Sequence, residues 1–286
     1  MTGLEFNQAL REGRRVYGTL LTSTSPRWVP LIAGLPLDFV FIDTEHIPID
    51  RAQLSWMTWA YRYAGLAPMV RIPSPDPFAA CQILDGGACS IVVPYVENAG
   101  QVRDLVGAVK HRPLKGVTLA AALADQKALT PAQQLYVETY NRGNSLIVNI
   151  ESTPALAALD QILAVPGLDG LLVGPHDLSC SLGFPEDYEH PKFQETVADI
   201  FRRARAAGVA AGIHSWMPAA QEATWCAAGA NLIIHSSDLI ATRVTLENEI
   251  RALRHCNGDP VASAIEDLPV LPKGFDEAAR PGTKTF

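Results

Sequence analysis

A (β/α)8 barrel is the fold class this sequence predicts, and three observations predict it. Short β-branched runs alternate with longer helical patterns along nearly all of the 286 residues. The strand–helix units number eight, of roughly 25–30 residues each, which suits a barrel of about 250 residues. Charged residues stand where apolar strands end, and these ends are spread over the second, third, fifth and sixth strands. Alternating β and α segments also permit an open doubly wound sheet, but that fold gathers its site at one switch point.

The elements follow in order. Met1 to Arg15 is polar and reads as a short helix. Val16 to Leu21 is the first strand, and Arg27 to Ala33 a helix closed by Gly34. Phe39 to Ile42 is the second strand; Asp50 then caps a helix through Tyr63, closed by Gly65. Pro68 to Ile72 is the third strand, with a helix from Pro77 to Leu84 that stops at Asp85-Gly86-Gly87. Ser90 to Val93 is the fourth, with a helix from Asn98 to Lys110. The stretch from Arg112 to Thr130 breaks the rhythm as a long excursion before a helix at Pro131 to Tyr140. Ser145 to Ile150 is the fifth strand, with a helix from Pro154 to Leu163. Leu171 to Val173 is the sixth, and Pro191 to Ala207 a long helix closed by Gly208. Val209 to Ile213 is the seventh, backed by Pro218 to Ala228. Asn231 to Ile234 is the eighth, followed by Leu239 to His255. Residues 1–256 thus form one (β/α)8 barrel domain, and 257–286, rich in Pro, Gly and charge, a C-terminal extension.

Composition excludes several classes. Hydrophobic residues are 48 % of the chain, ample for a full core. The formal net charge is −7 with no basic stripe, so nucleic acid is not an expected partner. No run of about 18 apolar residues is present to span a membrane, and no signal peptide pattern opens the chain, so a cytoplasmic protein is expected. The 5 cysteines are odd in number, widely spaced and without a C-x-x-C pair, which disfavours a disulfide framework or a zinc ribbon.

The strand ends carry the candidate chemistry. Phe39-Val40-Phe41-Ile42 runs into Asp43-Thr44-Glu45-His46, the third strand ends in Arg71, the fifth in Glu151, and the sixth in Gly174-Pro175-His176-Asp177. Glu151 and Asp177 would face one mouth, where two unpaired carboxylates repel and a divalent cation relieves the conflict. Each could instead cap a helix. Arg71 suits a carboxylate or an enolate oxygen, or else pairs with a local acid. Asp43, bonded to one imidazole nitrogen of His46, would leave the other free to accept a proton; both Asp43 and Glu45 could alternatively hold the loop. Lys110, Lys115, Lys127, Lys192, Lys273 and Lys284 all fall outside the barrel strands and their ends, so a Schiff-base mechanism is not expected. The ends of strands seven and eight lack the Gly-rich turn that cradles phosphate, and offer His214 and His235 as residues that line the pocket or merely pack.

At Phe41-Ile42-Asp43-Thr44-Glu45-His46, Arg71, Val148-Asn149-Ile150-Glu151 and Gly174-Pro175-His176-Asp177-Leu178-Ser179, the chain resembles the HpcH/HpaI aldolases, metal-dependent (class II) pyruvate aldolases typified by 4-hydroxy-2-oxoheptanedioate aldolase. The resemblance runs from about Phe6 to Leu253. It implies a TIM barrel, a homo-oligomer (usually a hexamer that exchanges a C-terminal helix), and a divalent metal ion, Mg²⁺, Mn²⁺ or Co²⁺, on Glu151 and Asp177. It also implies that Arg71 contacts the enolate, that His46, oriented by Asp43, handles the hydroxyl proton, and that backbone at Gly174, Pro175 and His176 meets the pyruvate carboxylate. An acid at the place of Asp85 can reach a neighbour's site, though a turn before Gly86-Gly87 explains it as well. The implied reaction is aldol cleavage or condensation of a 4-hydroxy-2-oxo acid, with a 2-oxo acid and an aldehyde as small-molecule partners.

The chain departs from that pattern in places. Thr44 stands where Gly is usual, Asn149 where Gln is usual, and Lys115-Gly116 where Arg-Gly is usual. Leu119 to Asp125 replaces an Ala-Arg-rich stretch, no Trp is found near Leu20, and His214 and His235 replace apolar residues. These changes spare the inferred metal, Arg and His-acid set and fall on the part of the pocket expected to select the aldehyde. A CoA-thioester lyase of the malyl or citramalyl type is an alternative on the same scaffold, although no basic cluster awaits its phosphates. A non-catalytic barrel that binds a 2-oxo acid is a second, supported by the altered 116–125 segment.

Overall fold

Strands of mostly apolar residues, each too hydrophobic to face water, bury both faces by closing on themselves inside a ring of helices. The computed structural model describes residues 1–125 and 128–260. Its strands are β1 (Val16–Leu21), β2 (Phe39–Asp43), β3 (Ala67–Arg71), β4 (Ser90–Val93), β5 (Ser145–Ile150), β6 (Gly170–Val173), β7 (Ala210–Ser215) and β8 (Leu232–Ser237). They form a closed barrel in sequence order, all parallel, with β1 pairing β8. The expected (β/α)8 class is therefore what the chain adopts. The expected extension lies, from residue 261, outside the described residues, as do Lys127, Lys273 and Lys284.

Side chains alternate between two cores, as the period of a strand requires. Leu20, Phe39, Phe41, Met69, Val92, Ile147, Leu172, Leu232 and Ile234 point into the lumen and fill it. Val40, Ile42, Val70, Ile91, Val93, Val148 and Leu171 point outward against the helices. Each fully buried side chain of this size contributes about 1.5–3 kcal/mol of transfer free energy. Gly18 has lumen parity on β1, and its missing Cβ leaves the space that the Phe39 ring occupies. The N-terminal end of the lumen is stopped by α1 (Gly3–Arg11), whose capping box joins Thr2 and Glu5 and whose Phe6, Ala9 and Leu10 are buried. Phe6 meets Phe39 edge-on, centroids 5.3 Å apart.

The outer helices are α2 (Trp28–Ala33), α3 (Arg51–Tyr63), α4 (Pro77–Asp85), α5 (Ala99–Lys110), α6 (Gly116–Ala124), α7 (Pro131–Asn141), α8 (Thr153–Ala157), α9 (Leu159–Leu163), α10 (Pro175–Leu182), α11 (Pro191–Ala206), α12 (Ala219–Ala227) and α13 (Asp238–Asn257). Asp50, Asp76, Asn98 and Ser237 cap α3, α4, α5 and α13 through their side chains. Among the helices, three differ in kind from the sequence expectation. Part of the Arg112–Thr130 excursion is α6, the helix expected at 154–163 breaks into α8 and α9 at Ala158, and the turn after Gly174 is α10.

Lys110 is mostly buried, at the rim opposite the charged strand ends. Its Nζ is 2.5 Å from Asp169 Oδ2 and donates to the Asn144 carbonyl at 2.6 Å, while Asn7 Nδ2 and the Leu146 N–H also donate to Asp169. Asp169 precedes β6, so this cluster sits at the N-terminal rim and ties α1, α5 and β5 together.

Candidate active site

Register decides which charged strand ends can meet. Asp43 and Arg71 are opposite one another in the β2–β3 ladder, so they share the lumen parity and touch. Arg71 donates from Nε to Asp43 Oδ1 at 2.9 Å and from Nη2 to Oδ2 at 2.6 Å, a bidentate fork on side chains only 15 % and 3 % exposed. Burial alone would raise the Asp43 carboxyl, but the Arg71 guanidinium and the Glu45 N–H outweigh it and hold it below the usual range. Burial likewise works against the Arg71 cation, and the carboxylates of Asp43, Glu45 and Glu151 reverse it. This corrects one expectation: Asp43 orients Arg71, not His46. His46 is exposed at the rim, its Nε2 3.8 Å from Glu45 Oε2. Glu45 Oε2 is also 3.1 Å from Arg71 Nη1, sealed from solvent and without a well-aligned hydrogen bond among the described residues.

Across the mouth stand the two expected carboxylates. Glu151 is buried; its Oε1 accepts the Tyr95 N–H at 2.6 Å and its Oε2 accepts Asn149 Nδ2 at 2.9 Å. Asp177 lies in the first turn of α10. Gly174 sits between them. A Cβ there would come within 2.9 Å of Glu151 Oε2 and 3.6 Å of Asp177 Oδ2, so the glycine keeps a small space open beside both acids. Burial raises the Glu151 carboxyl above its ordinary value; the bonds from Tyr95 and Asn149 oppose this, and the charges of Asp177 and Glu45 add to it. Two carboxylates whose charges oppose one another beside one small space suit a hard divalent cation that completes its shell with water and substrate oxygens. Among the described residues, no group of three or more His, Cys, Asp or Glu side chains forms a complete metal cage.

The remaining expected residues divide. Asn149 has lumen parity and steadies Glu151. Gly174, Pro175 and His176 open α10, whose N-cap Gly174 offers no side chain to its free N–H groups, leaving donors for an anion. The His176 side chain turns away, with Nδ1 3.3 Å from Glu186 Oε1. His214 is in the mouth: β7 runs two residues further than expected, and Ala210, Gly212 and His214 share the lumen parity. Its ring stands edge-on to Phe41 at 5.9 Å. His235 takes the packing role, the second of the two expected for it. On β8 the lumen residues are Leu232 and Ile234, so His235 points outward, where Nδ1 meets Glu222 Oε1 at 2.9 Å on α12 and is raised by that bond. Asp85 does not join this mouth either; it ends α4 and pairs with Arg112 at 2.7 Å.

Sequence reasoning missed Tyr95 and Asp238. Tyr95, just beyond β4, has φ +56°, and hydrogen bonding to Glu45 pushes its phenol up to about 12. Its N–H holds Glu151, while its phenol feels the acid beside His46 and Arg71. Asp238 accepts from the Thr22 and Ser23 N–H groups and the Thr22 hydroxyl, closing β1 onto β8. Tyr95 follows an apolar strand end, the only signal available, and one that a search for charges passes over.

The pattern of the HpcH/HpaI aldolase/citrate lyase family matches residues 17–242. The chain belongs to that family. A hydroxypyruvate/pyruvate aldolase of Roseovarius nubinhibens is 36 % identical over 210 residues, 73 % of this chain and 80 % of the relative. A 2-keto-3-deoxy-L-rhamnonate aldolase of Klebsiella pneumoniae is 33 % identical over 256 residues, 89 % and 95 % of the two chains. Among solved structures, an HpcH/HpaI aldolase from Desulfitobacterium hafniense superposes with a TM-score of 0.75 at 29 % identity, covering 86 % of this chain and 95 % of the other. The citrate synthase SbnG gives a TM-score of 0.77 at 26 % identity, covering 90 % and 100 %. The expected family, barrel and carbon–carbon lyase class of aldolase type therefore stand. No helix among the described residues is long and apolar enough to cross a membrane.

Proposed function

We propose that the chain catalyses reversible aldol cleavage of a 4-hydroxy-2-oxo acid to pyruvate, or a close 2-oxo acid, and an aldehyde, with a divalent cation (Mg²⁺, Mn²⁺ or Co²⁺) on Glu151 and Asp177. The observation that carries this reading is the pair of carboxylates flanking Gly174 in the same mouth as the Asp43-clamped Arg71. When bound, the cation supplies Lewis-acid polarisation of the 2-oxo group. The free N–H groups at the start of α10 hold the substrate carboxylate. His46 takes the proton of the 4-hydroxyl. The C3–C4 bond breaks, the aldehyde leaves, and the electron pair moves toward the 2-oxo oxygen, whose growing negative charge Arg71 meets. A proton delivered to C3 completes pyruvate.

The reading extends to assembly. α13 leaves the barrel with Leu239, Leu246, Ile250 and Leu253 exposed, at spacings that align them along one face. That stripe supports a homo-oligomer built through α13, and a hexamer is the proposed form. The deciding experiment is pyruvate condensation with a panel of aldehydes, with Mn²⁺ or Mg²⁺ and with chelator, read by mass spectrometry. Exchange of the pyruvate methyl protons in D₂O should accompany it. The absence of both condensation and exchange with every metal would overturn the reading.

A further inference from the structure

We propose that His214 is a specificity-determining residue that accepts a hydrogen bond from a second substrate hydroxyl, one that the reaction neither makes nor breaks. The inference rests on the aldolase reading and deepens it: it names hydroxylated substrates as the class this mouth selects. Its basis is the hydrogen-bonding state of one ring. His214 Nε2 is 3.1 Å from the carbonyl oxygen of Ser236 on the neighbouring strand. A carbonyl can only accept, so Nε2 carries the proton, and Nδ1 of the neutral ring must present a lone pair. Burial keeps the ring neutral, with its pKa pushed down to about 4.

The backbone is arranged around this bond. Ser236 is a non-glycine residue with φ +57°, at the place where the β1–β8 register shifts. Such a conformation persists only where surrounding contacts enforce it. Phe41 and Trp216 meet the ring edge-on, at 5.9 and 6.0 Å, which limits its rotation. Nδ1 takes no hydrogen bond among the described residues and, unlike Glu45 Oε2, is not sealed from solvent. A fixed acceptor therefore faces the mouth.

The chemistry of the substrates says what an acceptor can do there. A 2-oxo acid anion offers carboxylate and carbonyl oxygens, and an aldehyde a carbonyl oxygen, all of them acceptors. Only a hydroxyl can donate. The reacting 4-hydroxyl must give its proton to a base, and a ring that protonates only near pH 4 is a poor one at neutral pH. The partner left for Nδ1 is an additional hydroxyl, either on C3 of the 2-oxo acid donor or beside the aldehyde carbonyl. A substrate without it leaves the acceptor dehydrated and unpaired, which is how a polar site rejects a deoxy analogue.

The test measures kcat/KM for condensation by the full chain with Mn²⁺, using pyruvate against hydroxypyruvate as donor and acetaldehyde against glycolaldehyde as acceptor. His214→Leu should lower the rate for the hydroxylated member of at least one pair by about 10- to 100-fold, leaving the unhydroxylated member unchanged. His214→Asn, which can present an acceptor oxygen, should recover part of that preference. A His214→Leu variant that folds, by circular dichroism and melting, yet leaves both ratios unchanged overturns the proposal, as does one that slows all four substrates equally. Absence of turnover by the unaltered chain with every combination instead removes the aldolase reading, and the proposal with it.

Discussion

Replacing Asp43 with Asn isolates the clamp on Arg71. The wild-type carboxylate makes two charge-assisted bonds to a guanidinium that is mostly buried, at 2.9 and 2.6 Å. Breaking a buried pair by removing one charge costs about 3–5 kcal/mol. Asn keeps one acceptor oxygen and Glu45 remains 3.1 Å from Nη1, so part of this is recovered and a net loss of about 2–3 kcal/mol is expected. For a domain of this size that is a fall in Tm of about 5–10 °C. The loss carries a pH signature. Because the folded Asp43 carboxyl is held below its ordinary value of about 3.9, its stabilisation is complete above that pH and disappears as pH falls through the depressed folded value. The Tm gap between wild type and Asp43→Asn should therefore be full at pH 7 and begin to narrow only once pH falls below about 3.9. With Arg71 no longer fixed, turnover should drop by about 10²-fold, the scale of losing one oxyanion partner. Melting curves across pH and steady-state condensation kinetics measure both. Equal Tm values at pH 7, or unchanged turnover, would refute the assignment of Asp43 as the residue that holds Arg71.

Other expectations follow from the same geometry. Glu151→Gln should abolish metal-dependent turnover yet raise the Tm of the metal-free protein, because the wild-type carboxyl is raised by burial and its ionised form is costly at neutral pH; the Tm difference should begin to shrink as pH falls through that raised value and vanish below the ordinary glutamate value. Arg71→Lys should lose about 10²–10³ in kcat, since a single ammonium cannot reproduce the two-pronged contact with Asp43; rates near wild type would argue for simple charge. Asp169→Asn at the opposite rim should destabilise by about 3–5 kcal/mol, by leaving Lys110 buried without its partner, while kcat per folded molecule stays unchanged. Ile250→Glu on α13 should shift the protein to a smaller species in sedimentation experiments; an unaltered mass would remove α13 from the interface.

Much of this arrangement is legible in the sequence because a parallel barrel sends every strand end to one rim. Charges directly after Ile42, Val70 and Ile150, and Asp177 four residues after Val173, must then converge. What is not legible depends on register and parity. Asp43 stands three residues before His46 in the chain, but ladder pairing sets it opposite Arg71, and the cross-strand contact prevails over the sequence neighbour. His214 and His235 look equivalent as strand ends; one faces the lumen and the other the helices, which shows only once β7 and β8 are counted in phase with their buried residues. α6 escaped notice because Val117 to Ala124 is almost uniformly apolar, without the polar contrast that marks a helix face, and its N-cap Lys115 makes no side-chain bond. α10 was hidden by Gly174-Pro175, which reads as a loop although Pro is well suited to a first helical turn.

Gly174 has backbone angles, φ −83° and ψ 95°, that nearly any amino acid adopts without difficulty. Judged by conformation alone, the position is permissive. Yet a single added methyl would press on the Glu151 carboxylate and crowd the gap it shares with Asp177. The least conspicuous residue of the rim is thus among its least replaceable, and Gly174→Ala is expected to yield a well-folded, catalytically silent barrel.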